Sequence, residues 1–312
     1  MTDTMATGAA RTGAGESRDP VFILSPMRSY STVTVAVLAG HPEIYGFPEL
    51  LIFSARTIGD ILSAKVWSKA SGRRLNVRLS GVCRTIAELH EGSQEQDAVE
   101  RALRWLAERH NWPSTRFFDH LLCLIGPRIP VEKSPDTVMR DENLADCLEA
   151  YPNAKYIHLT RHPVTAQQSI MEQLARFDPS MSFPTRVASA ASVWYLSHLR
   201  IARALQHLPR DRWLRLRGED LLTEPRACLP VILDWLDLTY DQGVIDGMLR
   251  TERWSYAGTG PPGWLYGGDH KFMMSPELRP VPALEAVHFH PDLEMPDQMS
   301  ARMTKLARYL GY

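Results

Sequence analysis

No apolar run in this sequence approaches the roughly 18 residues that a membrane-spanning helix requires, so no span is expected. Cysteine is scarce. Cys83, Cys123, Cys147 and Cys228 lie far apart, with no CxxC pair and no metal-ligand spacing. That pattern excludes a disulfide framework and reads as buried or inert thiols of a reducing compartment. One-sided charge is also missing: 35 Lys and Arg face 36 Asp and Glu, for a formal charge of −1. A general nucleic-acid or anionic-membrane binder is thereby disfavoured, while one local anion site stays open. The start lacks a secretory apolar segment, and eleven of residues 1–19 are Ala, Gly or Thr. A disordered leader over 1–19 and a cytoplasmic address are expected. No internal repeat is visible.

What is present is an ordinary globular composition, 44% hydrophobic and 23% charged over 312 residues. A chain of that length buries roughly 75% of its unfolded surface, enough for a full core. Val21-Phe22-Ile23-Leu24 reads as a buried parallel strand, followed by a polar turn and a helix stopped at Gly40 and Pro42. Residues 55–120 are mostly helical in pattern without clear strand alternation, and read as a helical insertion or cap. Further strands are expected at 128–133, 154–160 and 212–217. Helices are expected at 136–150, 163–175, 186–207, 225–237 and 297–310. Strands alternating with helices indicate an α/β layer fold with a mainly parallel sheet. Residues 254–296 hold seven of 22 prolines and five of 19 glycines, the composition of a lid or binding loop.

Ligands of open α/β sheets sit beyond the carboxyl ends of the strands. Three of the expected strands end in cation-bearing turns, at Arg28, Lys133 and Arg161. A strand, a turn rich in Ser, Thr and Arg, and then a helix make an anion cradle from backbone N–H groups, hydroxyls and the positive helix end. GxxxxGK[ST] is absent, so the Mg²⁺-organised kinase arrangement lacks its lysine and its glycines.

SPMRSYST followed by LAGHPEIYGFPEL resembles the 5′-phosphosulfate-binding loop and following strand of the sulfotransferase family. YPNAKYIHLTRHPVTAQQS resembles the family's strand-to-helix 3′-phosphate motif. RLRGEDLLTEPRACLPVILDWLDL resembles its later strand-to-helix unit, and GGDHKF is similar to the Gly-Asp-x-x-Phe lid of bacterial carrier-type and polyketide members. The resemblance implies a three-layer P-loop-like fold, a mainly parallel sheet flanked by helices, in one domain over 20–312. It also implies 3′-phosphoadenosine 5′-phosphosulfate (PAPS) as donor, 3′-phosphoadenosine 5′-phosphate (PAP) as product, and no metal. Arg28, Ser29, Tyr30, Ser31 and Thr32 are expected at the 5′-phosphosulfate, Arg161 and Ser169 at the 3′-phosphate. Lys271 is expected to join them from the lid. Glu49 stands at the spacing where tyrosylprotein-type and related members place a glutamate base, and Lys133 matches a charge-neutralising cation. The expected acceptor is the hydroxyl of a small or carrier-bound molecule, as in natural-product modification.

Those roles agree with sulfuryl-transfer chemistry, an in-line displacement whose charge cations and fixed N–H donors stabilise. Apolar and aromatic flanks (Phe47, Leu50, Leu51, Phe53) are expected to raise the Glu49 carboxyl towards the role of base. Three residues depart from the family pattern: Tyr30 replaces a common glycine, Met27 stands where a proline often precedes the basic residue, and Gly218 replaces a common tyrosine near the adenosine side. Rival bases are His41, His120 and His270, whereas His162 reads as an orienting or exposed residue. His288 and His290 lack a third metal ligand. Trp67, Trp112, Trp254, Tyr256, Trp264 and Tyr266 read as cap-packing aromatics or acceptor-pocket walls. Arg73, Arg74, Arg78 and Arg84 read as a solvated face or a patch for an acidic carrier. A P-loop-type kinase and a catalytically silent nucleotide-binding module are the competing functions.

Overall fold

A parallel strand covered on both faces has to be apolar along its length, and the four residues of β1 (Val21–Leu24) are all buried. The computed structural model describes residues 18–63, 66–68, 73–75, 79–264, 266–282, 286–289, 295 and 297–312, without the side chains of 66–68, 73–75 and 297. After β1 come α1 (Ser31–Leu38), β2 (Ile44–Gly46), α2 (Ile58–Ser63), β3 (Val66–Ser68) and β4 (Arg73–Leu75). The helices α3 (Leu79–Glu91), α4 (Gln96–Glu108) and α5 (Ser114–Ile125) lead to β5 (Ile129–Glu132) and α6 (Asp141–Ala150). Next are β6 (Lys155–Thr160), α7 (Pro163–Phe177), α8 (Phe183–Leu205) and β7 (Trp213–Arg217). The described elements close with α9 (Gly218–Thr223), α10 (Pro225–Trp235), α11 (Gln242–Met248), α12 (His270–Met274) and α13 (Asp297–Leu310).

Five strands form one parallel sheet in the order β2-β5-β1-β6-β7, with helices around it. From β1 the chain runs to β2 and β5 on one side, then crosses to β6 and β7 on the other. That switch point opens the crevice where such sheets receive ligands, and the ends of β1, β5 and β6 face it with Arg28, Lys133 and Arg161. All eight residues of α1 are buried, which explains a helix without a polar face.

The helical reading of 55–120 holds for α2 to α5, but β3 and β4 form an antiparallel hairpin there. Strands of three residues carry too little alternation to register in the sequence. The expected helix over 136–150 is split into a 3₁₀ turn at Pro135–Val138 and α6. In α8, Ser182 caps the first turn by accepting from Thr185 N, and Pro184 sits within that turn. A second apolar cluster joins α7, α8 and α13 through Ala166, Ile170, Ala190, Trp194, Met303 and Ala307.

The opening of 254–296 is core. Trp254 Nε1 donates to Gly46 O at 2.8 Å, and Tyr256 OH lies 2.6 Å from Tyr45 OH. Arg84, expected on a solvated face, is buried and donates to the carbonyls of Tyr256 and Gly258 and to Gln94 Oε1. All four cysteines are free: Cys83 and Cys147 are buried, Cys228 is half-buried and Cys123 is exposed. No helix among the described residues is long and apolar enough to cross a membrane.

Candidate active site

The loop after β1 is strained where an anion is expected. Arg28 and Tyr30 both hold the left-handed conformation, at φ 66° and 64°. That conformation costs an L-residue about 1–2 kcal/mol and gathers at ligand sites. Tyr30 O starts α1 by accepting from Thr34 N and Thr34 Oγ1, but no side chain caps the helix. The first-turn N–H groups, beginning at Ser31, thus face the crevice uncapped. Ser29 Oγ is buried with no hydrogen-bond partner among the described residues. Burying a hydroxyl unpaired is unfavourable, so both features suit an anionic ligand.

Two groups of side chains meet at this loop. On the β6 side, Arg28 Nε donates to Ser169 Oγ at 3.0 Å, and Arg161 NH1 donates to Arg28 O at 2.7 Å. Arg161 Nε also donates to Thr165 Oγ1 at 3.2 Å, and burial lowers the guanidinium's pKa. On the β5 side, Lys133 Nζ donates to Thr32 Oγ1 at 2.8 Å and to Glu49 Oε1 at 2.5 Å. Asp269 links the two sides: its carboxylate accepts from Arg28 NH1, and its backbone N donates to Thr32 Oγ1 at 2.8 Å. Thr32 Oγ1 therefore accepts twice, which leaves its own proton to donate elsewhere.

Glu49 is held by its backbone. Its N donates to Gly267 O at 2.8 Å, Leu50 N to Glu132 Oε1 at 3.4 Å, and Leu51 N to Ser134 Oγ at 2.9 Å. A β-carbon on Gly81 would stand 2.3 Å from Glu49 O, so only glycine admits this approach. Phe47, Leu50, Leu51 and Phe53 are buried in the core, and the carboxylate meets Lys133 instead of apolar neighbours. Glu132 and Lys133 are each 1% exposed. Burial pushes the Glu132 carboxyl up to about 7.

Nine of the ten expected site residues thus lie along these two groups. Lys271 stands at the rim, its Nζ 2.8 Å from Glu172 Oε2 in an exposed pair. The rival bases separate. His41 is buried, with Nε2 at 3.1 Å from Thr239 O and Nδ1 accepting from Glu43 N. His120 on α5 stacks on Trp105 of α4, and its Nε2 lies 3.2 Å from His90 Nε2. His162 is buried against Tyr312, which corrects the exposed alternative. His270 is at the site: burial, with Arg176 and Arg28 nearby, pulls its imidazole down. His288 is exposed, and no three-residue group of potential metal ligands occurs among the described residues. Arg78 and His290 lie outside the described residues, as do the side chains of Trp67, Arg73 and Arg74.

Sequence reasoning missed Asp269, Glu219 and Tyr312. Glu219 Oε1 accepts from His162 N at 2.8 Å, and its Oε2 accepts from Tyr312 OH at 2.8 Å, bracing the turn that carries Arg161. Asp269 and Glu219 fall inside quoted motifs; nothing in the sequence marks Tyr312.

A parallel sheet with a left-handed loop and an uncapped helix after its central strand, and cations at three strand ends, defines an α/β protein of P-loop-like architecture. The chain belongs to the sulfotransferase family, whose model matches residues 20–242. Its fold is similar to the "Sulfotransferase Domain from the Curacin Biosynthetic Pathway", at a TM-score of 0.72 and 23% identity, covering 94% of this chain and 98% of that one. It is also similar to the "Sulfotransferase Domain from the Synechococcus PCC 7002 Olefin Synthase", at a TM-score of 0.69 and 24% identity, covering 97% and 98%.

Proposed function

We propose that this protein moves a sulfuryl group from PAPS to an acceptor hydroxyl, with Glu49 as general base. The observation that carries the proposal is the convergence on one loop of Arg28, Ser169 and Arg161 from one side and Thr32, Lys133 and Glu49 from the other. Arg161 and Ser169 hold the 3′-phosphate. Arg28, the Thr32 hydroxyl, the buried Ser29 hydroxyl and the N–H groups from Tyr30 to Thr32 hold the 5′-phosphosulfate. Lys271, at the rim, adds long-range positive charge. A donor entering this loop displaces the Asp269 carboxylate from Arg28.

Glu49 takes the proton as the acceptor oxygen bonds to sulfur. The sulfur–oxygen bond to the 5′-phosphate breaks, and its electron pair leaves with PAP. Lys133 and the loop N–H groups stabilise charge that grows on the leaving oxygen and the sulfuryl oxygens. General-base help of this kind contributes about 10²–10⁴-fold.

The biosynthetic settings of the two structural neighbours favour a small or carrier-bound acceptor of natural-product type. The free thiols and a nucleotide donor favour the cytoplasm. The test pairs a calorimetric titration of PAP with a transfer assay from labelled PAPS to hydroxyl acceptors, without added divalent metal. Binding with transfer supports the proposal. Binding without transfer to any hydroxyl points to a silent module, and Mg²⁺-dependent phosphoryl transfer from ATP points to a kinase.

A further inference from the structure

Tyr30 carries a side chain where the backbone favours none. Its φ of 64° and ψ of 12° suit glycine without cost, so its ring has to return something to the fold or to the site. The ring is half-buried between two neighbours. On one side the Arg161 guanidinium carbon lies 4.4 Å from the ring centroid. On the other, a β-carbon on Gly218 would stand 2.6 Å from Tyr30 Cδ2 and 3.3 Å from Tyr30 Cβ. The space that the ring occupies exists because residue 218 has no side chain.

The ring completes a three-point seat for Arg161. Its NH1 is drawn to Arg28 O, its Nε to Thr165 Oγ1, and its flat face to Tyr30. An arginine side chain loses substantial rotamer freedom when ordered. A guanidinium already fixed in its plane loses less when a phosphate arrives.

We infer that Tyr30 is a positioning residue that holds the Arg161 guanidinium in register for the donor's 3′-phosphate, and that Gly218 is the vacancy that admits its ring. The inference rests on the proposed role of Arg161 as the 3′-phosphate ligand. It gives two of the departures from the family pattern a single physical explanation, since Tyr30 and Gly218 are in contact.

The test compares PAP with adenosine 5′-phosphate, which lacks the 3′-phosphate, by calorimetry on the full chain. Tyr30→Leu keeps bulk but removes the ring. It weakens PAP about tenfold, the scale of a partly desolvated cation–π contact, and changes adenosine 5′-phosphate less than about twofold. Tyr30→Phe keeps the ring but gives up the hydroxyl's hydrogen bond to Thr165, and recovers most of the PAP affinity that Tyr30→Leu loses. Equal weakening of both nucleotides by Tyr30→Leu, or no weakening of either, overturns the inference while PAP binding by the native protein keeps the donor assignment. No PAP binding by the native protein overturns both. In ligand-free melting, Gly218→Ala lowers Tm in the native background and less in the Tyr30→Gly background. Additive Tm changes would remove Gly218 from the account.

Discussion

Lys133 Nζ lies 2.5 Å from Glu49 Oε1, and the lysine is 1% exposed while the glutamate side chain is 30% exposed. The buried cation depends on its partner far more than the carboxylate does, because an unpaired charge in the interior is costly. Glu49→Gln keeps an acceptor oxygen for Lys133 and removes the proton acceptor. Turnover is expected to fall at least about a hundredfold, with PAP affinity within a few-fold of native. Steady-state kinetics beside calorimetry measures both.

Arg28→Ala removes the cation between Ser169 and Asp269. A charge-assisted contact contributes about 1.5–3 kcal/mol, so PAP affinity is expected to fall by more than tenfold. Asp269→Asn acts oppositely. It removes the carboxylate that a donor has to displace and preserves a side chain able to cap α12. PAP is expected to bind at least as tightly, with unchanged Tm. Both are read by titration and melting.

Gly81→Ala forces a β-carbon against the Glu49 carbonyl. Relief requires a shift of the segment that carries Glu49. A stability loss of about 1–3 kcal/mol is expected, together with a fall in kcat that exceeds any change in PAP affinity. Urea unfolding and kinetics on the same preparation separate the two effects.

Buried titrating groups give the stability a pH dependence with two opposed parts. Burial pushes Glu132 up to about 7, so above the unfolded value of about 4.3 the folded state retains a proton that the unfolded chain has released. Stability from this group is therefore lost as pH rises through about 4.3–7, by up to about 4 kcal/mol. Glu132→Gln is expected to remove that slope and to gain on the native protein as pH rises. His158 Nε2 and His198 Nδ1 lie 3.0 Å apart in the core, and burial holds both imidazoles down, His198 to about 3. Below about 6.5 the unfolded chain binds protons that the folded one refuses. His198→Asn is expected to flatten the acid side. Melting curves from pH 5 to pH 8 test each slope.

The sheet was readable where strands are buried on both faces, since β1 is an unbroken apolar run and β6 sets Tyr156, Ile157 and Leu159 in a short stretch between a turn and a helix. It was unreadable where strands are short. β3 and β4 have three residues each, and β2, also three residues, was visible only through the family resemblance. Charged residues misled in both directions. Arg84, read on a solvated face or in a carrier patch, is buried because it binds the chain at Tyr256. Lys271, expected among the donor cations, is drawn to Glu172 at the rim, while Asp269 reaches Arg28. Partners separated by more than two hundred residues, such as Arg28 and Asp269, leave no local trace in sequence.

The structure of the protein with PAP bound tests the central claim most directly. The account predicts the 3′-phosphate on Arg161 and Ser169, the 5′-phosphate on the Arg28–Thr32 loop with Asp269 displaced, and Glu49 beside the vacated sulfuryl position. A nucleotide bound elsewhere, or bound with its 5′-phosphate remote from Arg28 and Lys133, would contradict it.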